Sequence, residues 1–309
     1  MMNQKKSSSW VSHWDHFWMN PCDLRMLAVV RRLYALLLVI NLVFLWLDRL
    51  LFFNHESTLG ASFLSPQLDM SSVRMWASDT PTMTSLSLGI LMVSSVCLLI
   101  ELWPRLAAAT VFVLLANLQY SNQLILDGED IVFRLFAFFL IFVPPRSDLE
   151  LHQNEKSKHL FPIWPLRLFQ LQMCLIFLCS AFQKTTGAAW VDGTAIYYVL
   201  RLDDLTGFHL PSFFTESLLL IQCATWSVVL FELSIPVLIW WQPARNWCLL
   251  LLVVFHLSTD IAMNLFLFHW IMLVGWLSFL PVECLDRLQI FPSASSQRTS
   301  KERWYRFIH

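Results

Sequence analysis

The chain has 309 residues, 57% hydrophobic and 14% charged, with net charge −1 and mean hydropathy +0.56. Soluble domains carry about 25% charged residues and about 45–50% apolar ones, so this composition belongs to an integral membrane protein, and the near-zero charge excludes a bulk pull toward nucleic acid. Seven cysteines, an odd number mostly inside apolar runs and without CxxC or metal-like Cys/His spacing, suggest buried thiols rather than a disulfide framework or a metal centre.

Residues 1–22 read as an interfacial segment. Trp10, His13, Trp14, Asp15, His16 and Trp18 leave no room for the apolar core of a signal peptide. Residues 23–285 form the transmembrane domain, and 286–309 a polar tail rich in Ser and Arg. The fold class is all-α, a polytopic bundle of about eight spans. The first is expected over about 27–47, followed by a polar loop over 54–81. The second covers about 83–103, and Pro104-Arg105 turns into the third, about 106–126. A short fourth helix, about 131–143, is capped by Asp127-Gly128-Glu129-Asp130 and stopped by Pro144-Pro145. It starts in a polar recess or extends backward through the acidic turn. The fifth runs over about 163–184, the sixth over 215–241, the seventh over 245–260 and the eighth over 264–280. Lys5, Lys6, Arg25, Arg31, Arg32, Arg105, Arg146, Lys156, Lys158, Arg245, Arg298, Lys301, Arg303 and Arg306 fall on one side if eight spans alternate. The positive-inside rule makes that side cytoplasmic, with both termini. The Asp127 turn and the loop 185–212 then share the outer side. No fixed-period repeat points to an inverted-repeat transporter.

Ionisable side chains at membrane depth are costly and are candidates for function. Here they are Arg134, Lys184, Glu232, His256, Asp260 and His269. Asp130 and Arg134, four apart, can pair on one helix face. The pair is either structural or a held cation for an anion or oxygen acceptor. Lys184 ends the fifth helix, which also carries Gln170 and Gln172. It either snorkels to the headgroups or is desolvated by the bundle and serves, neutral, as a general base. Gln183 precedes it, and Trp190 offers a flat lid. Asp192-Gly193 looks like a turn whose aspartate caps a helix over 194–200. Glu232 stands four residues before Pro236, whose ring frees the Glu232 carbonyl. It is a structural hydrogen-bonded carboxyl or a group facing a cavity or a cation. His256, Asp260 and Asn264 repeat at i, i+4, i+8. The carboxylate could fix the imidazole tautomer, or the histidine is simply buried and satisfied. His269, among Phe266, Phe268 and Trp270, reads as structural. No G-x-G-x-x-G, Walker A, H-E-x-x-H or G-x-S-x-G occurs, so neither a nucleotide nor a metal is expected.

Five blocks in chain order carry a family resemblance: RRLYALLLVINLVFLWLDR, SNQLILDGEDIVFRLFAFFLIFVPP, RLFQLQMCLIFLCSAFQKTTGAAWVDGTAIYYVL, ELSIPVLIW and FHLSTDIAMNLFLFHWIML. Together they resemble the HTTM domain family, which includes the vitamin K-dependent gamma-glutamyl carboxylase. The third block, a Gln-bearing helix, a lysine and Trp-x-x-Gly, is the most specific. The resemblance implies a membrane-bound enzyme that binds a reduced, vitamin K-like quinone. Lys184 would be the base for quinol oxidation, epoxidation or carboxylation, with His256 and Glu232 as catalytic partners. Gln183, Trp190, Asp192, Gly193, Asp130, Arg134, Gln172 and Asp260 would surround the quinone. The chain departs from the carboxylase in carrying Gln183 where a second lysine stands and in a Lys-to-Trp spacing one residue longer. It also ends shortly after the last helix, as a short form without the lumenal domain would. The alternative is a non-catalytic lipid- or quinone-binding scaffold or an accessory subunit. Expected partners are membrane lipid and quinone, with a thiol-disulfide oxidoreductase-like or other membrane protein beside them, and no nucleic acid. The expected location is the inner (cell) membrane.

Overall fold

The computed structural model describes residues 9–53, 81–121, 126–145, 161–202, 211, 213 and 216–287. Most of the charges used for orientation, among them Lys5, Lys6, Arg146, Lys156, Lys158, Arg298 and Arg306, lie outside the described residues, as do the loop 54–80 and most of the tail. The described residues are almost wholly helical. Five helices are long and apolar enough to cross a membrane: Arg25–Leu47, Pro81–Leu99, Trp164–Thr186, Leu218–Leu238 and Gln242–Ala262. Each leaves more than half of its most apolar window uncovered by protein. Leu86, Val93, Leu230 and Val237 are 57–69% exposed. Such surfaces are costly in water and natural against acyl chains.

In chain order the elements are α1 (Ser9–Met19), β1 (Pro21–Cys22), α2 (Arg25–Leu47), α3 (Arg49–Phe53), α4 (Pro81–Leu99), α5 (Pro104–Ser121), α6 (Gly128–Leu140) and β2 (Phe161–Pro162). After them come α7 (Trp164–Thr186), α8 (Ala188–Val191), α9 (Ala195–Val199), α10 (Leu218–Leu238), α11 (Gln242–Ala262), α12 (Phe268–Trp276) and α13 (Glu283–Arg287). All eight expected helices have a counterpart. The two-residue strands were not expected: Pro21 pairs with Pro162 and Cys22 with Phe161, antiparallel. All seven cysteines are free thiols; Cys174 and Cys248 are buried, whereas Cys179 and Cys223 are exposed rather than interior.

The chain divides into two compact units, one built from the residues up to Leu168 and from Leu280 onward, the other from Phe169–Phe279. In the first unit, α2 packs on α4 and α6, and α5 packs on α4 and α6. The buried face of α2 repeats at Leu27, Arg31, Tyr34, Leu38 and Leu42, the three- and four-residue spacing of one helix face. Phe133, Phe136, Ala137 and Leu140 do the same on α6. The Tyr34 hydroxyl donates to the Phe133 carbonyl at 3.0 Å, which satisfies a phenol with no exposure at all.

Arg31, also without exposure, is the polar centre of this unit. It pairs with Glu101 through two guanidinium nitrogens and donates to the carbonyls of Val143 and Pro144 at 3.2 and 3.0 Å. Glu101 reaches it from a tight corner in which Glu101 and Trp103 take positive φ, 63° and 44°. Such backbone is costly for non-glycine residues and persists only where its surroundings hold it. Pro104 then opens α5, a position where its missing N–H costs nothing.

α6 begins at Gly128, extending backward through the acidic turn as one of the two expected arrangements had it, because the Asp127 N–H donates to the Asp130 carboxylate at 3.1 Å and starts the helix there.

In the second unit, α10 packs on α9 and α11, and α11 packs on α12. Ser217 caps α10, its hydroxyl accepting the Leu220 N–H at 3.5 Å. α11 ends at Ala262 and α12 starts only at Phe268, so Asn264 lies between helices and the expected His256–Asp260–Asn264 stripe is broken after Asp260. The corner between them contains Phe266 at φ 33°.

Candidate functional site

The last turns of α7 and the middle of α10 carry the polar centre of the second unit. Ser180 and Lys184 are one turn apart on α7 and share a face. Glu232 lies on α10, four residues before Pro236, and is buried. The Lys184 Nζ donates to both Glu232 carboxylate oxygens, at 2.9 and 2.8 Å, and to the Ser180 hydroxyl at 2.6 Å. The Ser180 hydroxyl donates in turn to Glu232 Oε1 at 3.2 Å. Three polar groups thus form a closed ring. The lysine side chain is 19% exposed and the glutamate 8%, so the pair is largely desolvated while the ammonium keeps one open side. Glu232 is therefore held by a cation, as one of its two expected roles required. Lys184 is held by Glu232 and Ser180.

Trp190 lies beside that open side, with Nζ 5.2 Å from its ring centroid, within cation–π range. Its position follows from the turn that carries it. After Thr186 the chain reverses at Gly187 into α8, and the Trp190 N–H donates to the Gly187 carbonyl at 3.0 Å. The next turn is pinned to α10. Trp226 Nε1 donates to the Val191 carbonyl at 3.4 Å, Gln222 Nε2 to the Asp192 carbonyl at 3.2 Å, and the Ile196 N–H to Thr225 Oγ1 at 3.3 Å. Gly193 takes φ 81°, and a Cβ there would stand 2.8 Å from Gln222 Cγ and 3.1 Å from the Trp226 ring. Only glycine satisfies both demands. The Asp192 carboxylate accepts from the Thr194 N–H and hydroxyl at 3.0 and 2.6 Å. The expected aspartate cap is corrected accordingly: Thr194 is the N-cap of α9, and Asp192 holds the turn that precedes it.

On the outer face of α7, Leu178, Cys179, Phe182, Gln183, Thr185 and Leu233 line an open groove of about 480 Å³. Gln183 is exposed there and Gln172 is half-buried. Gln170 is the interior glutamine, donating to the Ser278 carbonyl at 2.8 Å.

His256, buried on α11, meets His269 on α12, with Nδ1 to Nδ1 at 3.1 Å. No hydrogen bond joins Asp260 to His256 among the described residues, and the ring partner of His256 is His269 instead. The ring of Phe177 on α7 touches Phe231, Phe255, His256 and Trp276 at centroid distances of 4.9–6.4 Å. An aromatic layer therefore separates the imidazoles from the polar ring one turn further along α7.

Asp130 and Arg134 belong to the first unit. Their expected pairing does not form, for no ion pair joins them among the described residues. The Asp130 carboxylate is taken by the Asp127 N–H, and the Arg134 guanidinium lies 5.8 Å from the Tyr120 ring. Gln119 donates to the Asp130 carbonyl at 2.7 Å.

In the second unit, pattern reasoning missed one residue and one contact. Ser180 is a small polar residue in an apolar run; its spacing of four from Lys184 was the available signal. The His256–His269 contact needed the corner at Phe266, which no periodicity announces.

The HTTM domain matches residues 19–283, most of the chain. That family is linked to vitamin K-dependent carboxylase-like membrane proteins. No solved structure matches the chain.

Proposed function

The chain belongs to the HTTM family, and from that premise we propose that Lys184, held by Glu232 and Ser180, is the base that takes a hydroxyl proton from a membrane-borne quinol. The observation that supports this most directly is the closed ring of Lys184, Ser180 and Glu232 beneath Trp190. A quinol supplies a weakly acidic hydroxyl and two reducing electrons.

The residues fit such a group. Trp190 gives a flat ring for an aromatic head. The groove on the outer face of α7, lined by Leu178, Phe182, Gln183, Thr185 and Leu233, offers apolar surface for a lipid tail, although its lining includes neither Lys184 nor Trp190. The volume lies within the usual range of about 300–1,000 Å³ for ligand pockets.

An ammonium is no base. Its Nζ–H faces Glu232, and one proton can shift from Nζ to the carboxylate. That leaves an amine beside a carboxylic acid. The amine then accepts the hydroxyl proton and becomes the ammonium again, with the first proton stored on Glu232. Ser180, which both accepts from Nζ and donates to Oε1, holds the two groups in register through the exchange. Whether oxidation, epoxidation or carboxylation follows depends on the co-substrate that reaches the site. We place the ring toward the outer leaflet of the cell membrane, in a chain of eight crossings with both termini cytoplasmic.

The test is oxygen uptake by the purified protein in nanodiscs with a short-chain naphthoquinol, compared with Lys184→Met. A general base contributes about 10²- to 10⁴-fold, so uptake should fall by at least about 100-fold in the variant. Quenching of tryptophan fluorescence by the matching naphthoquinone should persist. Equal uptake in both proteins would overturn the assignment.

A further inference from the structure

In the first unit α4 stands between α2 and α5, packed on both. One face of α4 and of the turn after it is left uncovered: Leu86, Ile90, Val93 and Ile100, at helical spacing, are 44–64% exposed. The strip ends at the α4–α5 corner, where Leu102 and Trp103 are exposed as well. Apolar side chains along a span, closed by a tryptophan, mark the level at which acyl chains give way to headgroups.

Three arginines meet at that level. Arg31 is spent inside, its guanidinium holding the Glu101 carboxylate and the carbonyls of Val143 and Pro144. Arg32 and Arg105 both bear electrostatically on Arg31. Arg32 Nε stands 3.7 Å from Glu101 Oε1, beyond hydrogen-bond reach, and has no hydrogen-bond partner among the described residues. Arg105 is exposed and joins no ion pair among them. Glu101 cancels one of the three charges, so the corner keeps a positive surplus. The backbone adds to it. The first helical bond of α5 runs from the Ala107 N–H to the Trp103 carbonyl at 3.0 Å, and the Arg105 and Leu106 N–H groups before it have no backbone acceptor among the described residues. Free N–H groups at a helix start favour an anion.

Two guanidinium groups without a counterion of their own, at the head of an apolar strip, suit an anion that brings its own apolar tail. We propose that Arg32 and Arg105 hold the phosphate of an anionic phospholipid whose acyl chains lie along the exposed face of α4. The phosphodiester takes charge-assisted hydrogen bonds from the two side chains, and the chains cover Leu86, Ile90 and Val93. A free phosphate would meet the charge but leave the strip bare. A zwitterionic lipid would cover the strip but return a positive charge to the corner. The site lies wholly in the first unit and stands apart from the role given to Lys184.

The test is native mass spectrometry of the full-length protein in detergent micelles. Phosphatidylglycerol and phosphatidylcholine with the same acyl chains are titrated separately, and inorganic phosphate is added as competitor. The first phosphatidylglycerol should bind at least about 10-fold more tightly than the first phosphatidylcholine, the lower end for a hydrogen bond between charged groups. Arg32→Gln and Arg105→Gln should each weaken it by about 10-fold and leave phosphatidylcholine binding unchanged, which also reports an intact fold. Arg287→Gln, which removes an exposed arginine from α13, should change neither. Arg105→Lys keeps the charge and should restore most of what Arg105→Gln loses. Failure to restore it would mean that the glutamine acts through the fold and not the charge, and would overturn the site. If the two lipids bind alike, or if Arg32→Gln and Arg105→Gln lose no more than Arg287→Gln, the arginines attract lipid only as diffuse charge and the site is refuted. Displacement of phosphatidylglycerol by inorganic phosphate would reveal a free-anion site and overturn the lipid assignment.

Discussion

Replacing Glu232 by glutamine keeps the shape of the side chain and removes its charge, leaving the Lys184 ammonium in a largely buried position with only neutral acceptors. At the observed 2.8 Å, and with an effective dielectric of about 20, the gross attraction between the two charges is about 6 kcal/mol. Desolvation of both groups offsets much of that, so the intact pair is worth far less to the fold. Breaking it from one side is different, because the remaining charge keeps its desolvation cost without its partner. One-sided removal from buried pairs costs about 3–5 kcal/mol. We expect Glu232→Gln and Lys184→Met each to lose stability on that scale. The double variant Lys184→Met/Glu232→Gln should recover about half or more of the summed loss, because neither side then strands a charge. The assay is unfolding in detergent micelles followed by tryptophan fluorescence, for wild type, both single variants and the double variant as a thermodynamic cycle. If the two single losses simply add, or if either stays within about 0.5 kcal/mol of wild type, the pair is not coupled and the proton exchange proposed for it has no physical basis.

Ser180→Ala should cost about 1 kcal/mol, measured in the same unfolding assay, and Ser180→Thr, which keeps the hydroxyl, should lose less. Gly193→Ala combines a positive φ with a Cβ 2.8 Å from Gln222; it should cost about 1–3 kcal/mol and open the turn carrying Trp190, visible as faster proteolysis after Arg201. Arg31→Ala should destabilise the first unit by about 3–5 kcal/mol, whereas Arg31→Met combined with Glu101→Leu should fold nearly as well as wild type; thermal aggregation in micelles distinguishes them. Reporter fusions at both ends should show the same, cytoplasmic side, and a split result would remove the eight-crossing topology.

The helices were legible because membrane-length apolar runs have few alternatives, and their ends were marked by Asp48, Pro104, Pro144 and Lys184. The Lys184–Glu232 contact was only half legible. Each residue stood out as a charge at membrane depth, yet nothing in the spacing of 48 residues joins them. That pairing depends on how α7 and α10 are rotated about their axes, which their apolar surfaces barely constrain. Asp130 and Arg134 show the opposite failure. Their spacing of four invites an ion pair, but a backbone N–H at the helix start competes for the carboxylate and wins. His256 and Asp260 show a related case, because the hydrogen-bonding partner of His256 comes from the next helix and not from one turn away. Arg31 and Glu101 were passed over because each sits near a helix end, where a charge looks solvated. Their burial is a property of three segments meeting, not of any one of them.

The Arg31 cluster also constrains how the chain is made. Its counterion, Glu101, follows 70 residues later, and its two carbonyl acceptors 112 and 113 residues later. During synthesis α2 leaves the ribosome with a bare arginine near one end. Translocon scales put an unpaired arginine at about 2.5–3.5 kcal/mol against insertion at a helix centre, and less near the ends. α2 therefore depends on the corner between α4 and α5 to settle at its final depth. A nascent chain stalled before residue 101 should be held at the insertion machinery or degraded, while one stalled after Pro145 should resist alkali extraction. Biogenesis of the first unit is in this sense delayed until the Glu101 corner arrives, and the positive φ of that corner is held in the folded chain by the same contact that closes the arginine in.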